Sequence, residues 1–117
     1  PPLLEATAMQ VRERLGAPFN SVGLNLYRDG HDSVAPHNDK LHDLMPGQPI
    51  AVLSLGATRR MTVRAKRPPH AQWHMSLEPG SVVVMSHASQ SHYDHGIPKS
   101  PGVVDPRISV AFRVRRP

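Results

Sequence analysis

His37 and Asp39 have the most chemical reach, as two metal-ligand side chains separated by one residue in Val34-Ala35-Pro36-His37-Asn38-Asp39-Lys40. Residues i and i+2 of an extended strand project from one face, so a strand here would aim both side chains at a single ion. A histidine arriving from a distant segment would make two imidazoles and one carboxylate on one side of that ion, with the other side open. That ligand pattern suits non-haem ferrous iron. Taken alone the pair is a weak signal, because a surface histidine near an aspartate is commonly just solvated.

Three further signals accompany it. His92-Tyr93-Asp94-His95-Gly96-Ile97-Pro98 offers a histidine followed by a glycine that permits close backbone approach and a proline that fixes the exit. Arg107 and Arg113 are an even number of residues apart, so they share one face of a strand and stand roughly 20 Å apart along its backbone. Two long guanidinium arms can converge from such positions on the ends of a small dicarboxylate, a task suited to bidentate arginine recognition. Asn25 and Tyr27 share a face of another expected strand and can hydrogen-bond the same anion.

The elements that must position these residues are mostly strands. Thirteen prolines and eight glycines among 117 residues, with only five aromatic side chains (one Trp, two Tyr, two Phe), argue against a helical bundle and for short strands joined by turns. One domain is expected at this length, comprising a helix and connection over 1–18 and a jelly-roll core over 19–114. The absence of cysteine excludes a disulfide framework, a thiolate zinc site and a cysteine nucleophile, and leaves the compartment undecided. No run is long and apolar enough to span a membrane. The start at Pro1-Pro2 rather than Met carries the expectation that residues precede it. A net charge of +5 favours a polyanionic partner such as nucleic acid.

Residues 3 to 15 read as the one good helix, with Leu4, Ala8, Val11 and Leu15 on a stripe and Gly16 ending it. Asn20 to Arg28 reads as a strand with Val22, Leu24 and Leu26 on one face and Gly23, Asn25 and Tyr27 on the other. Leu41 to Gln48 is expected to be an irregular loop. Strands are expected over Pro49 to Gly56, Met61 to Lys66, Trp73 to Leu77 and Ser81 to Met85, the last two paired as a hairpin through Pro79-Gly80. Ser86 to Ser91 reads as polar loop, His92 to His95 as a short strand, and Arg107 to Val114 as the last strand. Many half-polar strands after one helix point to a small double-sheet jelly roll or barrel with an interior site; a plain antiparallel sandwich is the alternative.

With these segments in place, the sequence resembles the AlkB family of Fe(II) and 2-oxoglutarate dependent dioxygenases. The matching stretches are Asn20-Ser21-Val22-Gly23-Leu24-Asn25-Leu26-Tyr27-Arg28-Asp29-Gly30, His37-Asn38-Asp39, Leu53-Ser54-Leu55-Gly56-Ala57-Thr58-Arg59-Arg60, His95-Gly96-Ile97-Pro98 and Pro106-Arg107-Ile108-Ser109-Val110-Ala111-Phe112-Arg113. The resemblance implies a mainly β fold, a double-stranded β-helix with one N-terminal helix, and His37, Asp39 and His95 as iron ligands. It also implies that Arg107, Tyr27 and Ser109 hold the distal carboxylate of 2-oxoglutarate, while Arg113 and Asn25 serve the end chelated to iron. The implied reaction uses dioxygen to convert 2-oxoglutarate to succinate and carbon dioxide while hydroxylating an N-methyl group, which then leaves as formaldehyde. Alkylated bases of DNA or RNA are the implied substrates, in an intracellular, cytoplasmic setting.

Several residues have competing readings. His31, His42, His70 and His74 read as surface residues, whereas His87 and His92 compete with His95 for the third ligand position; the Gly-Ile-Pro context favours His95. Arg59, Arg60, Arg64, Lys66 and Arg67 read equally as a solvated face or a phosphate-contacting patch, and Trp73 reads as a packing or loop aromatic before a base-stacking one. Family members that repair nucleic acid carry acidic residues just after the HxD pair, where this chain has Lys40-Leu41-His42, so that Asp43 is the available substitute. They also carry an N-terminal nucleotide-recognition lid, where this chain has one helix. A chain without a lid should prefer single-stranded or exposed bases. The alternatives are an oxygenase acting on a protein or small molecule, a zinc-binding cupin-like module, and an inactive nucleic-acid-binding module. A dicarboxylate clamp of Arg107 and Arg113 weighs against zinc hydrolysis.

Overall fold

The computed structural model describes residues 2–117. The expected stripe forms helix α1 (Pro2–Leu15). It ends where Gly16 takes φ +64° and its N–H closes on the Arg12 carbonyl, a left-handed turn that glycine adopts without a Cβ clash. Ala8 and Val11 are buried against Phe19, Ala51, Val110 and Phe112, with Leu4 and Leu15 at the margin.

The strands that follow are β1 (Ser21–Tyr27), β2 (Val34–His37), β3 (Ile50–Gly56), β4 (Arg59–Ala65), β5 (Gln72–Leu77), β6 (Val82–Met85), β7 (Tyr93–Ile97) and β8 (Arg107–Arg113), with a short helix α2 (Ser89–His92) before β7. They form two sheets, ordered β1-β8-β3-β6 and β2-β7-β4-β5, and every pairing is antiparallel. Because sequence neighbours repeatedly change sheets, the chain winds as a jelly roll, as expected, rather than as two meanders. Tyr27, Met61, Leu77 and Ile97 fill the space between the sheets. The outer face of the first sheet is apolar too: α1 covers Val110 and Phe112, whereas Leu24, Leu26, Leu55 and Ile108 are exposed.

Strand alternation sets which residues look inward. Opposite each other across β1 and β8 stand Asn25 with Ser109 and Tyr27 with Arg107, and Ser54 of β3 flanks Ser109 on the other side. These side chains share the inter-sheet face, so polar groups come to occupy an interior that the helix side of the same sheet fills with apolar ones.

Four expectations change. The stretch Trp73 to Met85 is not a hairpin. β5 pairs with β4 and β6 with β3, because the chain crosses between sheets at Glu78–Ser81, where Gly80 N–H donates to the Ser54 carbonyl and Ser54 N–H donates to the Ser81 carbonyl. The polar stretch before β7 contains α2, and its Gln90 is buried. The segment after β2 is not all irregular: Leu41–Asp43 makes a single 3₁₀ turn, and Leu44 bridges to Arg115. Finally, β2 stops at His37, so Asp39 is not on a strand with it.

Candidate active site

His37 ends β2 directly opposite His95 of β7, and their rings lie 4.6 Å apart between centroids at an angle of 50°. Gly96 makes this pairing possible, since a Cβ there would stand 2.7 Å from the Val34 carbonyl oxygen. The His37 Nδ1–H donates to the Ala35 carbonyl at 3.0 Å, which leaves Nε2 as the free lone pair. Asp39 approaches from the irregular segment beyond β2. Ligand atoms of His37, Asp39 and His95 all lie within 4.8 Å of one another, close enough to hold one metal ion. Burial, and next the neighbouring His37, lowers the His95 pKa to about 4, so the ring is neutral at physiological pH and its lone pair is available. His87 is half-buried and His92 exposed, and neither belongs to this group.

A cavity of about 90 Å³ opens beside the triad, and His37, His95, Asn25, Tyr27, Arg107 and Arg113 are among its lining residues, with Ser109 at the same wall. All the residues expected at the co-substrate site therefore border one space. Arg107 is only 1% exposed, and its Nη2 donates to the buried Ser54 hydroxyl at 2.9 Å, yet among the described residues Nε and Nη1 have no partner. Burial lowers its pKa, opposed by Tyr27, whose ring centroid is 5.0 Å from the guanidinium carbon. Arginine remains charged under such pressure. A buried cation with two idle donors fits a carboxylate entering the cavity. The donor set of two imidazoles and one carboxylate fits Fe(II).

Arg113 also reaches one of the triad residues directly. Its Nε donates to Asp39 Oδ2 at 2.5 Å, and both side chains are mostly buried. Gly23, opposite Ala111, leaves room for this arm: a Cβ on Gly23 would be 3.5 Å from Arg113 Nη1. The guanidinium thus balances the Asp39 carboxylate at the metal position while its other donors remain beside the cavity.

Several residues near the site were not marked for it by sequence. Arg59 and Lys66 do not belong to a solvated or phosphate-contacting face. Arg59 is 2% exposed, and its guanidinium donates to the carbonyls of Asp29, Asp32 and Pro98, pinning the β1–β2 loop. Lys66 is half-buried and bonded to Asn38 and Gln90. Arg60 and Arg67 are exposed and Arg64 half-buried, so the cationic patch shrinks to these three. His31, His42 and His74 are exposed as expected, whereas His70 is half-buried and bonds the Ala65 carbonyl. Trp73, half-exposed, meets Tyr93 edge-on at 5.8 Å. A second cavity, of about 370 Å³, shares Arg113 with the first and is also lined by Asn38, Asp39, Lys40, Asp43 and Arg115.

A jelly roll holding a two-histidine, one-carboxylate group beside a buried arginine defines the class, and known proteins agree. The profile of the 2OG-Fe(II) oxygenase superfamily matches residues 1–113. The chain is 35% identical over 119 residues to DNA oxidative demethylase ALKBH2 of Homo sapiens, covering 96% of this chain and 46% of that protein. It is 36% identical over 124 residues to alpha-ketoglutarate-dependent dioxygenase alkB homolog 3 of Bos taurus, covering 99% and 43% respectively. The solved structure of OsALKBH1 superposes with a TM-score of 0.65 at 20% identity, over 96% of this chain and 61% of that one. The chain belongs to the 2OG-Fe(II) oxygenase superfamily, in its AlkB group. It spans about half the length of the curated relatives it matches. Membership of this family and the donor set of His37, Asp39 and His95 fit Fe(II), with 2-oxoglutarate and dioxygen as co-substrates, better than the zinc-binding alternative. No helix among the described residues is long and apolar enough to cross a membrane.

Proposed function

We propose that this protein oxidatively demethylates alkylated bases in nucleic acid, with single-stranded or otherwise exposed bases preferred, and that residues 1–117 act as one catalytic unit. The observation that carries the reading is the buried Arg107, whose idle donors share a cavity with His37 and His95. In this reading His37, Asp39 and His95 hold the iron. Arg107, with Tyr27 and Ser109, takes the distal carboxylate of 2-oxoglutarate, and Arg113 with Asn25 steadies the end nearest the metal. Bound iron with 2-oxoglutarate and dioxygen supplies the oxidising chemistry, and the products are succinate, carbon dioxide, formaldehyde and the demethylated base.

The chain's own groups do the rest. Arg113 pairs with the Asp39 carboxylate and would share that negative charge with a bound metal. The second cavity receives the flipped base, and Asp43 stands there as an acceptor for an exocyclic amine, in place of acids where this chain has Lys40-Leu41-His42. Relatives named for oxidative demethylation of DNA support the substrate class.

The test is Fe(II)-dependent production of succinate and formaldehyde, with and without single strands carrying 1-methyladenine or 3-methylcytosine. Both products rising together only with the methylated strand is the expected result. Succinate without formaldehyde would reject the nucleic-acid substrate, and no succinate at all would reject the catalytic unit as drawn. A His37→Ala variant is expected to lose succinate formation.

A further inference from the structure

Asp39 poses a mechanical problem. His37 and His95 are fixed by a sheet ladder, but Asp39 lies two residues past the end of β2, where no ladder holds it. A metal ligand must nevertheless stay within about 0.5 Å of its working position. The contacts that fix this segment come from residues far away in sequence. Asp39 N–H donates to Oε1 of Gln90 at 2.8 Å, and Gln90 is only 1% exposed. The ammonium of Lys66, just beyond β4, donates both to Asn38 Oδ1 at 2.8 Å and to the Gln90 carbonyl at 2.9 Å. Asn38 Nδ2 in turn donates to the Asp39 carbonyl at 2.7 Å. The loop is closed: one side-chain amide grips the backbone of the ligand, and one lysine ties the preceding residue to the helix that carries that amide.

We infer that Gln90 and Lys66 are positioning residues that set how tightly and in what geometry Asp39 meets the metal. The inference rests on the reading of His37, Asp39 and His95 as the metal ligands. Neither residue belongs to the triad, and neither lines the cavity that holds Arg107. Lys66 is spent here rather than on a phosphate, and Gln90 sits buried in a four-residue helix whose remaining side chains are more open to solvent. Interactions that orient a metal ligand are worth about 10–100-fold in metal affinity.

The test uses Mn(II) binding to the whole chain, followed by the EPR signal of free Mn(II), and needs neither turnover nor a substrate. Gln90→Met keeps the volume but removes the acceptor, and Lys66→Met removes the tie. Each is expected to weaken Mn(II) binding about 10–100-fold at a temperature where its circular dichroism matches wild type. In an Asp39→Ala background the same substitutions are expected to change Mn(II) affinity little, because the leg they steady is gone. A merely structural role would lower thermal stability and leave this difference between backgrounds absent. Lys66 is half-buried at the sheet margin, so Lys66→Met decides the matter if Gln90→Met does not fold. Wild-type affinity in a folded variant, or an equal loss in the Asp39→Ala background, overturns the inference. Failure of the wild-type chain itself to bind Mn(II) would instead reject the triad as a metal site.

Discussion

Replacing Arg107 with Met tests whether the cavity is prepared for an anion. In the structure two guanidinium donors of Arg107 are buried without partners. Each unsatisfied buried donor costs about 1–3 kcal/mol, so removing both relieves about 2–6 kcal/mol. Against this, Ser54 loses its donor, at about 1–3 kcal/mol. The stacking of Arg107 on Tyr27, at 5.0 Å, is lost as well, which costs about 1–2 kcal/mol. The opposing sums nearly cancel. Without co-substrate, Arg107→Met should therefore lie within about 2 kcal/mol of wild type, unlike the roughly 3–5 kcal/mol typical of emptying a large core position. Binding behaves differently. Wild type with Mn(II) and 2-oxoglutarate at a hundred times its Kd gains about 2.7 kcal/mol. At about 4 °C per kcal/mol for a domain of this size, that is a rise in Tm of about 10 °C. The variant should show almost none of it. Thermal unfolding with and without 2-oxoglutarate, both in Mn(II), measures both quantities. A variant that keeps the ligand-dependent rise, or one that loses more than about 4 kcal/mol without ligand, would show that Arg107 is not waiting for a carboxylate.

Other perturbations separate the site's parts. Ser54→Ala removes the acceptor that orients Arg107, and should raise the Kd for 2-oxoglutarate about 10-fold in calorimetry while leaving Mn(II) affinity unchanged. Gly96→Ala would push a Cβ to 2.7 Å from the Val34 carbonyl oxygen and 3.0 Å from the Pro36 nitrogen; β2 must then shift away from β7, and both Tm and Mn(II) affinity should fall together. Arg59→Lys cannot span the carbonyls of Asp29, Asp32 and Pro98, and should cost about 2–4 kcal/mol in urea unfolding. Full stability in that variant would mean that the β1–β2 loop is held by other contacts.

What could be read from sequence was whatever repeats with a short period. Alternation in β1 and β8 marked Asn25, Tyr27, Arg107, Ser109 and Arg113 as facing one way, and they do line one cavity. The stripe through Leu4, Ala8, Val11 and Leu15 likewise gave α1 its packing face. Alternation says which face a residue shares but not which strand lies beside it, and the supposed hairpin at Pro79-Gly80 went astray for that reason. Single polar residues in irregular segments were opaque for a related cause. Gln90 and Lys66 meet Asn38 and Asp39 across 28 to 51 residues of chain, with no periodic pattern to announce it. Arg59 looked like one cation among five; only the meeting of the β1–β2 loop with the segment just after β7 gives it three carbonyls to hold.

The place of β8 in its sheet has a consequence for how the molecule comes into being. β8 lies between β1 and β3, and among the described residues β1 has no other strand partner. During synthesis, then, Ser21–Tyr27 emerges first and must wait for some eighty residues before Arg107–Arg113 arrives to join it to the rest. Until that moment the first strand lacks both arginines of the cavity wall, and apolar faces on either side of the gap lie open. Closure of so distant a pairing is slow and leaves the nascent chain exposed to association. A ribosome paused before residue 107 therefore carries a polypeptide with the triad residues already made and no wall to work against. Completion of the last strand closes the sheet and its cavity in a single step.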